Sequence, residues 1–346
     1  MKQFSVAMLG FGIAGKAFSR ILIEKHQEIM EKTGYDVQVT AITTGSRGTL
    51  ICPQGIDLQE ATRQVEELGH FDVNGPWYSE MNTMEVVEKA DYDVVLELTP
   101  INIRTGQPAI DHIKGAMNRG KHAITANKGP IAWAYRELRD LAKEKGVCFY
   151  YETTVMAGTP VFNMVDNCLQ YCKISEVKGI LNATTNYVLE EMTKGVPMDV
   201  IMENGRRGGF MEADASMDMK GWDAAAKLTA LLNVLMDAGI TPDQIDRTGI
   251  EEVTAEDIQR AAKHGCKVKL LCQGKIEDGK VVGIVKPSEI KADDAFAGSD
   301  VVAVVSIDTD LMGRLTMVQY GLETTQTGYG VFIDLIRVLE NCQAIE

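Results

Sequence analysis

One hexapeptide, Gly10-Phe11-Gly12-Ile13-Ala14-Gly15, limits what this chain can fold into more than any other stretch. It follows a short apolar run over residues 4–9. It precedes residues 16–33, where Ala17, Phe18, Ile21, Leu22 and Ile29 recur at helical spacing. A strand, a G-x-G-x-x-G turn and a helix in that order predict a Rossmann-type dinucleotide-binding unit. Gly10 would permit the tight turn, Gly12 the approach of a pyrophosphate, and Gly15 the close packing of helix on strand. Ile13 and Ala14 would open the helix, whose unpaired N–H groups and dipole favour a phosphate. The bland reading is a glycine turn without a ligand; the flanking strand and helix favour the nucleotide.

The residues after the second strand, Val37 to Thr43, sharpen the cofactor expectation. An NAD site usually places a carboxylate here for the ribose 2′-hydroxyl. The chain instead reads Thr43-Thr44-Gly45-Ser46-Arg47-Gly48. With no acid and an arginine nearby, a 2′-phosphate is favoured, hence NADP over NAD, with Thr44 and Arg47 as donors. The alternative is a loop arginine facing solvent.

Downstream, strands are predicted at 94–99, 122–125 and 147–151, and helices at 83–90, 107–119 and 131–145. Their alternation implies a parallel sheet with helices on both faces, an α/β class. After Glu152 the texture changes. Helices near 160–171, 187–193, 197–204, 221–238 and 254–264 mix with strands at 174–182, 266–276, 281–287 and 301–308, which suggests a second α+β domain. A strand at 315–320, a glycine- and threonine-rich loop at 321–330 and a helix at 331–340 follow. The expected division is a dinucleotide-binding domain of residues 1–135 plus 310–346 and a substrate and dimerisation domain of residues 136–309. A length of 346 residues suits two domains.

The formal net charge of -14 argues against nucleic acid, which needs a basic footprint, and against an anionic membrane surface. No run of about 18 apolar residues predicts a membrane span. Seven cysteines without a C-x-x-C fit free thiols in a reducing compartment, so a cytoplasmic protein is expected.

The second informative stretch runs from Glu212 to Lys227. Glu212, Asp214, Asp218 and Asp223 crowd into 12 residues that lead to a lysine. Like charges repel, so such crowding points to a cation to hold or a reaction to run. Asp223 and Lys227 stand at i,i+4 on one helix face; the bland reading is a surface salt bridge. The functional reading is a small cationic substrate beside a lysine that moves a proton.

At this point the chain resembles the homoserine dehydrogenase family over nearly its whole length. The resemblance rests on G-F-G-I-A-G-K from Gly10, T-A-N-K from Thr125 to Lys128, and E-T-T-V-M-A-G-T-P from Glu152 to Pro160. It continues with G-I-L-N-A-T-T-N-Y from Gly179 to Tyr187, G-F-M-E-A-D from Gly209 to Asp214, and D-x-K-G-W-D-A-A-A-K from Asp218 to Lys227. The resemblance implies reduction of L-aspartate 4-semialdehyde to L-homoserine with NAD(P)H. It makes Lys227 the general acid, with Asp223 at the reacting oxygen or in its supporting network. Lys128 would orient the carbonyl, touch the cofactor ribose or relay protons. Glu212 and Asp218 would hold the substrate ammonium, Thr184 would donate to the substrate, and Asp214 would join them or merely brace its loop. Thr99 and Pro100 would line the nicotinamide.

The resemblance also implies a monovalent cation such as sodium, held by Glu152 and the backbone of Val155, Ala157 and Thr159; otherwise Glu152 braces that loop. It suggests a homodimer through the middle domain. Neither an aspartate kinase segment in front nor an ACT module behind is expected. The departures are Phe210, Ala183 and the run Gly321-Leu322-Glu323-Thr324-Thr325-Gln326-Thr327-Gly328. They leave two rivals in play: an oxidoreductase for another small amino or hydroxy aldehyde, and a non-catalytic NADP-binding sensor.

Overall fold

The structure is a computed structural model that describes residues 2–208, 211, 214–298, 301–321 and 323–345. The chain divides into two compact units, residues 1–161 with 323–346, and residues 162–322.

The first unit begins with β1 (Lys2–Leu9), α1 (Ile13–Thr33), β2 (Tyr35–Thr44), β3 (Gly48–Ile51), α2 (Leu58–Leu68) and β4 (Tyr78–Ser79). It continues with α3 (Thr83–Lys89), β5 (Val94–Glu97), α4 (Ala109–Asn118), β6 (His122–Thr125), α5 (Lys128–Lys145) and β7 (Phe149–Tyr150). The sheet order is β4-β3-β2-β1-β5-β6-β7. The five strands from β2 to β7 run parallel, and β3 and β4 form an antiparallel edge. The strand order reverses direction beside β1, which is where a doubly wound sheet opens its ligand crevice. Val6, Met8, Val94, Leu96 and Ile124 are wholly buried along the central strands.

The second unit is built from α6 (Val161–Cys168), β8 (Ile174–Ile180), α7 (Ala183–Thr193), α8 (Met198–Arg207), α9 (Ser216–Met219) and α10 (Trp222–Leu235). Then come β9 (Asp246–Arg247), α11 (Ala255–Lys263), β10 (Cys266–Glu277), β11 (Lys280–Lys291), β12 (Val301–Thr309) and β13 (Gly313–Tyr320). Its six strands lie in the order β13-β12-β8-β10-β11-β9 and are antiparallel except for the β11–β9 pair. Helix α10 packs on this sheet through Leu228 and Leu232, for which Gly274 and Gly283 leave room.

The final helix, α12 (Thr324–Ile345), returns to the first unit. Val331, Leu335, Val338 and Leu339 sink into the same core as Phe18 and Leu22 of α1. Two expectations change here. The boundaries near 135 and 310 fall instead at 161 and 323. Strand β7 keeps the chain in the first sheet beyond residue 135, and β13 is tied by backbone hydrogen bonds to β12 of the second sheet.

The stretch 321–330, expected as a loop, is helical from Thr324. Its glycines serve close packing. A Cβ at Gly328 would lie 2.6 Å from the Ala17 and Phe18 backbone of α1, and one at Gly330 would strike the Thr153 hydroxyl. Helices approach this closely only where no side chain intervenes. Among the described residues no helix is long and apolar enough to cross a membrane, and all seven cysteines are free.

Candidate active site

The residues expected to act fall into a cofactor set in the first unit and a substrate set in the second. In the cofactor set, Gly10 has φ +107°, and a Cβ there would lie 2.7 Å from the Leu98 carbonyl carbon, so only glycine fits. A Cβ on Gly15 would approach the Gly10 carbonyl oxygen to 3.0 Å, because α1 crosses close to the turn. Gly12 differs: a Cβ there would meet nothing within 4 Å. The protein's own packing does not demand that glycine, which leaves open backbone where a pyrophosphate would lie. No side chain caps the α1 N-terminus and its first turn carries no acid, so its N–H groups are available to an anion. These residues fit a dinucleotide.

Ile13 is 65% exposed beside this opening. Arg47 Nη1 donates to the Phe11 carbonyl at 2.9 Å, which ties the arginine to the glycine turn and engages one of its five donors. The Thr44 hydroxyl accepts the Arg47 backbone N–H at 2.7 Å, so it shapes the turn that presents Arg47.

At the end of β5, Thr99 directs its hydroxyl and, at 3.3 Å, its N–H to the Glu97 carboxylate. Pro100 follows it. Asn127 donates to the Thr99 carbonyl at 3.2 Å and caps α5 through the Gly129 N–H at 3.0 Å, so Lys128 opens that helix.

In the substrate set, Asp223 and Lys227 lie one turn apart at the start of α10. Lys227 Nζ sits 2.8 Å from Asp223 Oδ2 and donates to the Leu181 carbonyl at 2.9 Å. Asn182 joins the acids: its Nδ2 donates to Asp218 Oδ1 at 2.6 Å and to Asp223 Oδ2 at 2.7 Å. Its Oδ1 accepts the Thr185 N–H at 2.7 Å as the cap of α7, which fixes the direction of the amide. Thr184 stands beside Asp218 and favours its charged form. Four expected residues, Thr184, Asp218, Asp223 and Lys227, therefore form one network.

Asp214 is exposed and accepts the Ser216 N–H at 2.9 Å, which braces the entry to α9. Glu212, like Phe210, lies outside the described residues. Cys272 is wholly buried near Lys227, and burial pushes its thiol up to about 12, so it stays protonated and is no nucleophile.

Burial, and next the charge of Asp223, hold the Asp218 carboxyl above its ordinary 3.8; Asn182, Lys227 and Thr184 oppose the rise. An acid raised on folding costs stability once the unfolded chain ionises. The cost builds as pH climbs through 3.8 and is fully present at neutral pH. Asp218→Asn is therefore expected to raise Tm at pH 7 by about 1–3 °C while weakening the binding of a cationic substrate. Calorimetry should show the gain shrinking as pH falls toward about 4. A Tm that falls at pH 7 would contradict this electrostatic account.

The segment from Glu152 to Thr159 was expected to hold a cation. Glu152 is 1% exposed, Val155 is buried, and Met156 and Ala157 turn through left-handed backbone at φ 58° and 49°. Asp334 of α12 anchors the Glu152 N–H at 2.9 Å, and the Thr153 hydroxyl is buried without a hydrogen bond. One carboxylate and several carbonyls on a tight turn are oxygen donors that fit a hard monovalent cation. Among the described residues no cluster of three or more His, Cys, Asp or Glu could hold a metal.

The sequence reading missed Asn182 and Glu97. The Asn182 signal was a helix-capping residue in front of Thr184-Thr185. That of Glu97 was a lone acid at the end of an apolar strand.

Comparison with known proteins bears on both sets. The homoserine dehydrogenase NAD-binding domain matches residues 10–152, and the homoserine dehydrogenase domain matches residues 160–336. A homoserine dehydrogenase of Methanocaldococcus jannaschii is 34% identical over 96% of this chain and 98% of its own. An NAD(+)-dependent homoserine dehydrogenase of Pseudomonas canavaninivorans is 30% identical over 98% and 97%. A hyperthermophilic archaeal homoserine dehydrogenase mutant in complex with NADPH superposes with a TM-score of 0.83 at 29% identity, covering 98% of both chains. With two domain matches across most of its length and full-length relatives at this identity, the chain belongs to the homoserine dehydrogenase family.

Proposed function

We propose that this protein interconverts L-aspartate 4-semialdehyde and L-homoserine with a nicotinamide dinucleotide, using Lys227 as general acid and base. The observation that carries the proposal is the network in which Asp223 holds the Lys227 ammonium at 2.8 Å and Asn182 joins Asp223 to Asp218. Bound NAD(P)H supplies a hydride to the aldehyde carbon. Lys227 Nζ gives its proton to the oxygen that becomes the hydroxyl. Asp223 orients the ammonium through their ion pair. Asp218 and Glu212 attract the substrate ammonium, Asp214 adds negative charge, and Thr184 donates a hydrogen bond to the substrate.

In the first unit, the turn from Gly10 to Gly15 holds the pyrophosphate, and Thr99 and Pro100 bound the nicotinamide. Lys128 orients the carbonyl or contacts the ribose. Glu152 with the carbonyls of Val155, Ala157 and Thr159 holds a monovalent cation that stiffens its loop. The same reading makes the protein a cytoplasmic homodimer joined through its second unit.

The relatives include an NAD(+)-dependent enzyme and one bound to NADPH. Arg47, with no carboxylate at the end of β2, favours NADPH here. The test is NADPH oxidation with L-aspartate 4-semialdehyde, with NADH as comparator. We expect faster turnover with NADPH. Arg47→Ala should raise KM for NADPH by about tenfold or more and leave NADH within about twofold, as for one lost charge-assisted contact. Equal effects on both cofactors would show that Arg47 does not read the 2′-phosphate. NADPH binding without oxidation would remove the substrate assignment.

A further inference from the structure

Glu97 is a wholly buried carboxylate at the last position of β5, in register with Leu9 of β1 and Thr125 of β6. These are the carboxyl ends of the parallel strands, where doubly wound sheets bind ligands. A carboxyl group wholly buried beside Thr125 and His112 is expensive, and its burial points to a role beyond filling space. Its partners define that role. Oε1 accepts the Thr99 hydroxyl and, at 3.3 Å, the Thr99 N–H. His112 Nδ1 of α4, itself buried, lies 3.4 Å from the same oxygen. The Thr125 hydroxyl bonds the Glu97 carbonyl at 3.1 Å and accepts the Asn127 N–H at 2.9 Å. Asn127 reaches back to the Thr99 carbonyl at 3.2 Å and caps the helix that Lys128 opens. One carboxylate thus anchors the two segments, Leu98–Pro100 and Ala126–Lys128, that flank the nicotinamide end of the proposed cofactor site.

We propose that Glu97 is a positioning residue for the nicotinamide end of the cofactor: it fixes Thr99 directly and the start of α5 through Thr99 and Asn127. The proposal rests on the cofactor assignment made above, and not on the identity of the aldehyde. A carboxylate suits the task because it accepts several N–H and O–H groups at once, and such charge-assisted bonds are short and directional. Precise placement matters because small misplacement of a reacting group lowers the rate steeply.

The experiment compares the binding of NADPH with that of 2′-phospho-ADP-ribose, which lacks only the nicotinamide, by fluorescence and calorimetry. For Glu97→Ala we expect Kd for NADPH to rise by about tenfold, with the fragment within about twofold, the size of one lost charge-assisted bond. Glu97→Gln, which keeps an acceptor for Thr99, should recover most of the NADPH affinity. Thr99→Val, which removes the hydroxyl and preserves shape, should weaken NADPH selectively, and it serves if Glu97→Ala does not fold. Equal weakening of NADPH and fragment, or unchanged affinity for both with only a lower Tm, would make Glu97 merely structural and overturn the proposal. Wild-type protein that binds neither NADPH nor NADH would overturn the cofactor reading and the proposal together. Binding that is intact while no aldehyde is reduced would leave Glu97 in place and remove only the substrate reading.

Discussion

Lys227→Ala is expected to lower kcat by about a thousandfold, the middle of the range for loss of a positioned proton donor. Lys227 Nζ is held by Asp223 and by the Leu181 carbonyl, which fix two of the three ammonium directions. In the proposed reaction the third donates to the substrate oxygen. The glycine turn and Arg47 lie in the other unit, so Kd for NADPH should stay within about twofold, a change below the effect of one lost hydrogen bond. Lys227→Arg separates charge from proton transfer: it keeps the cation near Asp223 but does not give up a proton at any working pH. It should bind substrate yet turn over as slowly as the alanine variant. Steady-state kinetics checks both. A kcat for Lys227→Ala within about tenfold of wild type would move the proton transfer to another group.

Asn182→Ala carries the second large effect, because this amide does two jobs. Its oxygen caps α7 through the Thr185 N–H, and its Nδ2 bridges Asp218 and Asp223. Loss of the cap costs about 1 kcal/mol, and freeing two carboxylates from their shared donor adds a penalty of about 1–3 kcal/mol. Tm should fall, and kcat/KM should drop by about a hundredfold as the acids separate and Lys227 loses its alignment. Asn182→Asp distinguishes the jobs. Aspartate caps a helix as well as asparagine does, but it sets a third negative charge where the structure has a donor. It should keep α7 and lose turnover at neutral pH. Thermal unfolding and kinetics on both variants check this. Normal kinetics for Asn182→Asp would show that the bridge does not serve catalysis.

The parts legible from sequence were those whose determinants are close along the chain. The glycine turn, β1 and α1 follow one another within 33 residues, and the 3.6-residue period exposes the helix directly. Asp223 and Lys227 could be paired because i,i+4 residues share a helix face, and they form an ion pair.

The parts that were not legible depend on contacts between distant segments. Asn182 reaches acids 36 and 41 residues away, brought near by the order of the second sheet and the capping of α7. Glu97 meets His112 only because α4 crosses back over β5. Gly328 and Gly330 looked like loop residues, yet their small size lets α12 lie against α1 and against Thr153. Propensity yields to packing there. The boundary at 323 was hidden for the same reason: β13 belongs with β12 through backbone hydrogen bonds that no local pattern announces.

The most direct test of the account follows the hydride itself. NADPH carrying deuterium at the transferable C4 position is incubated with L-aspartate 4-semialdehyde and the protein, and the product is read by mass spectrometry. The account predicts L-homoserine with a single deuterium on its hydroxyl-bearing carbon, formed by wild type and nearly absent with Lys227→Ala. Deuterium elsewhere, a different product, or consumption of the aldehyde without transfer of label would contradict it.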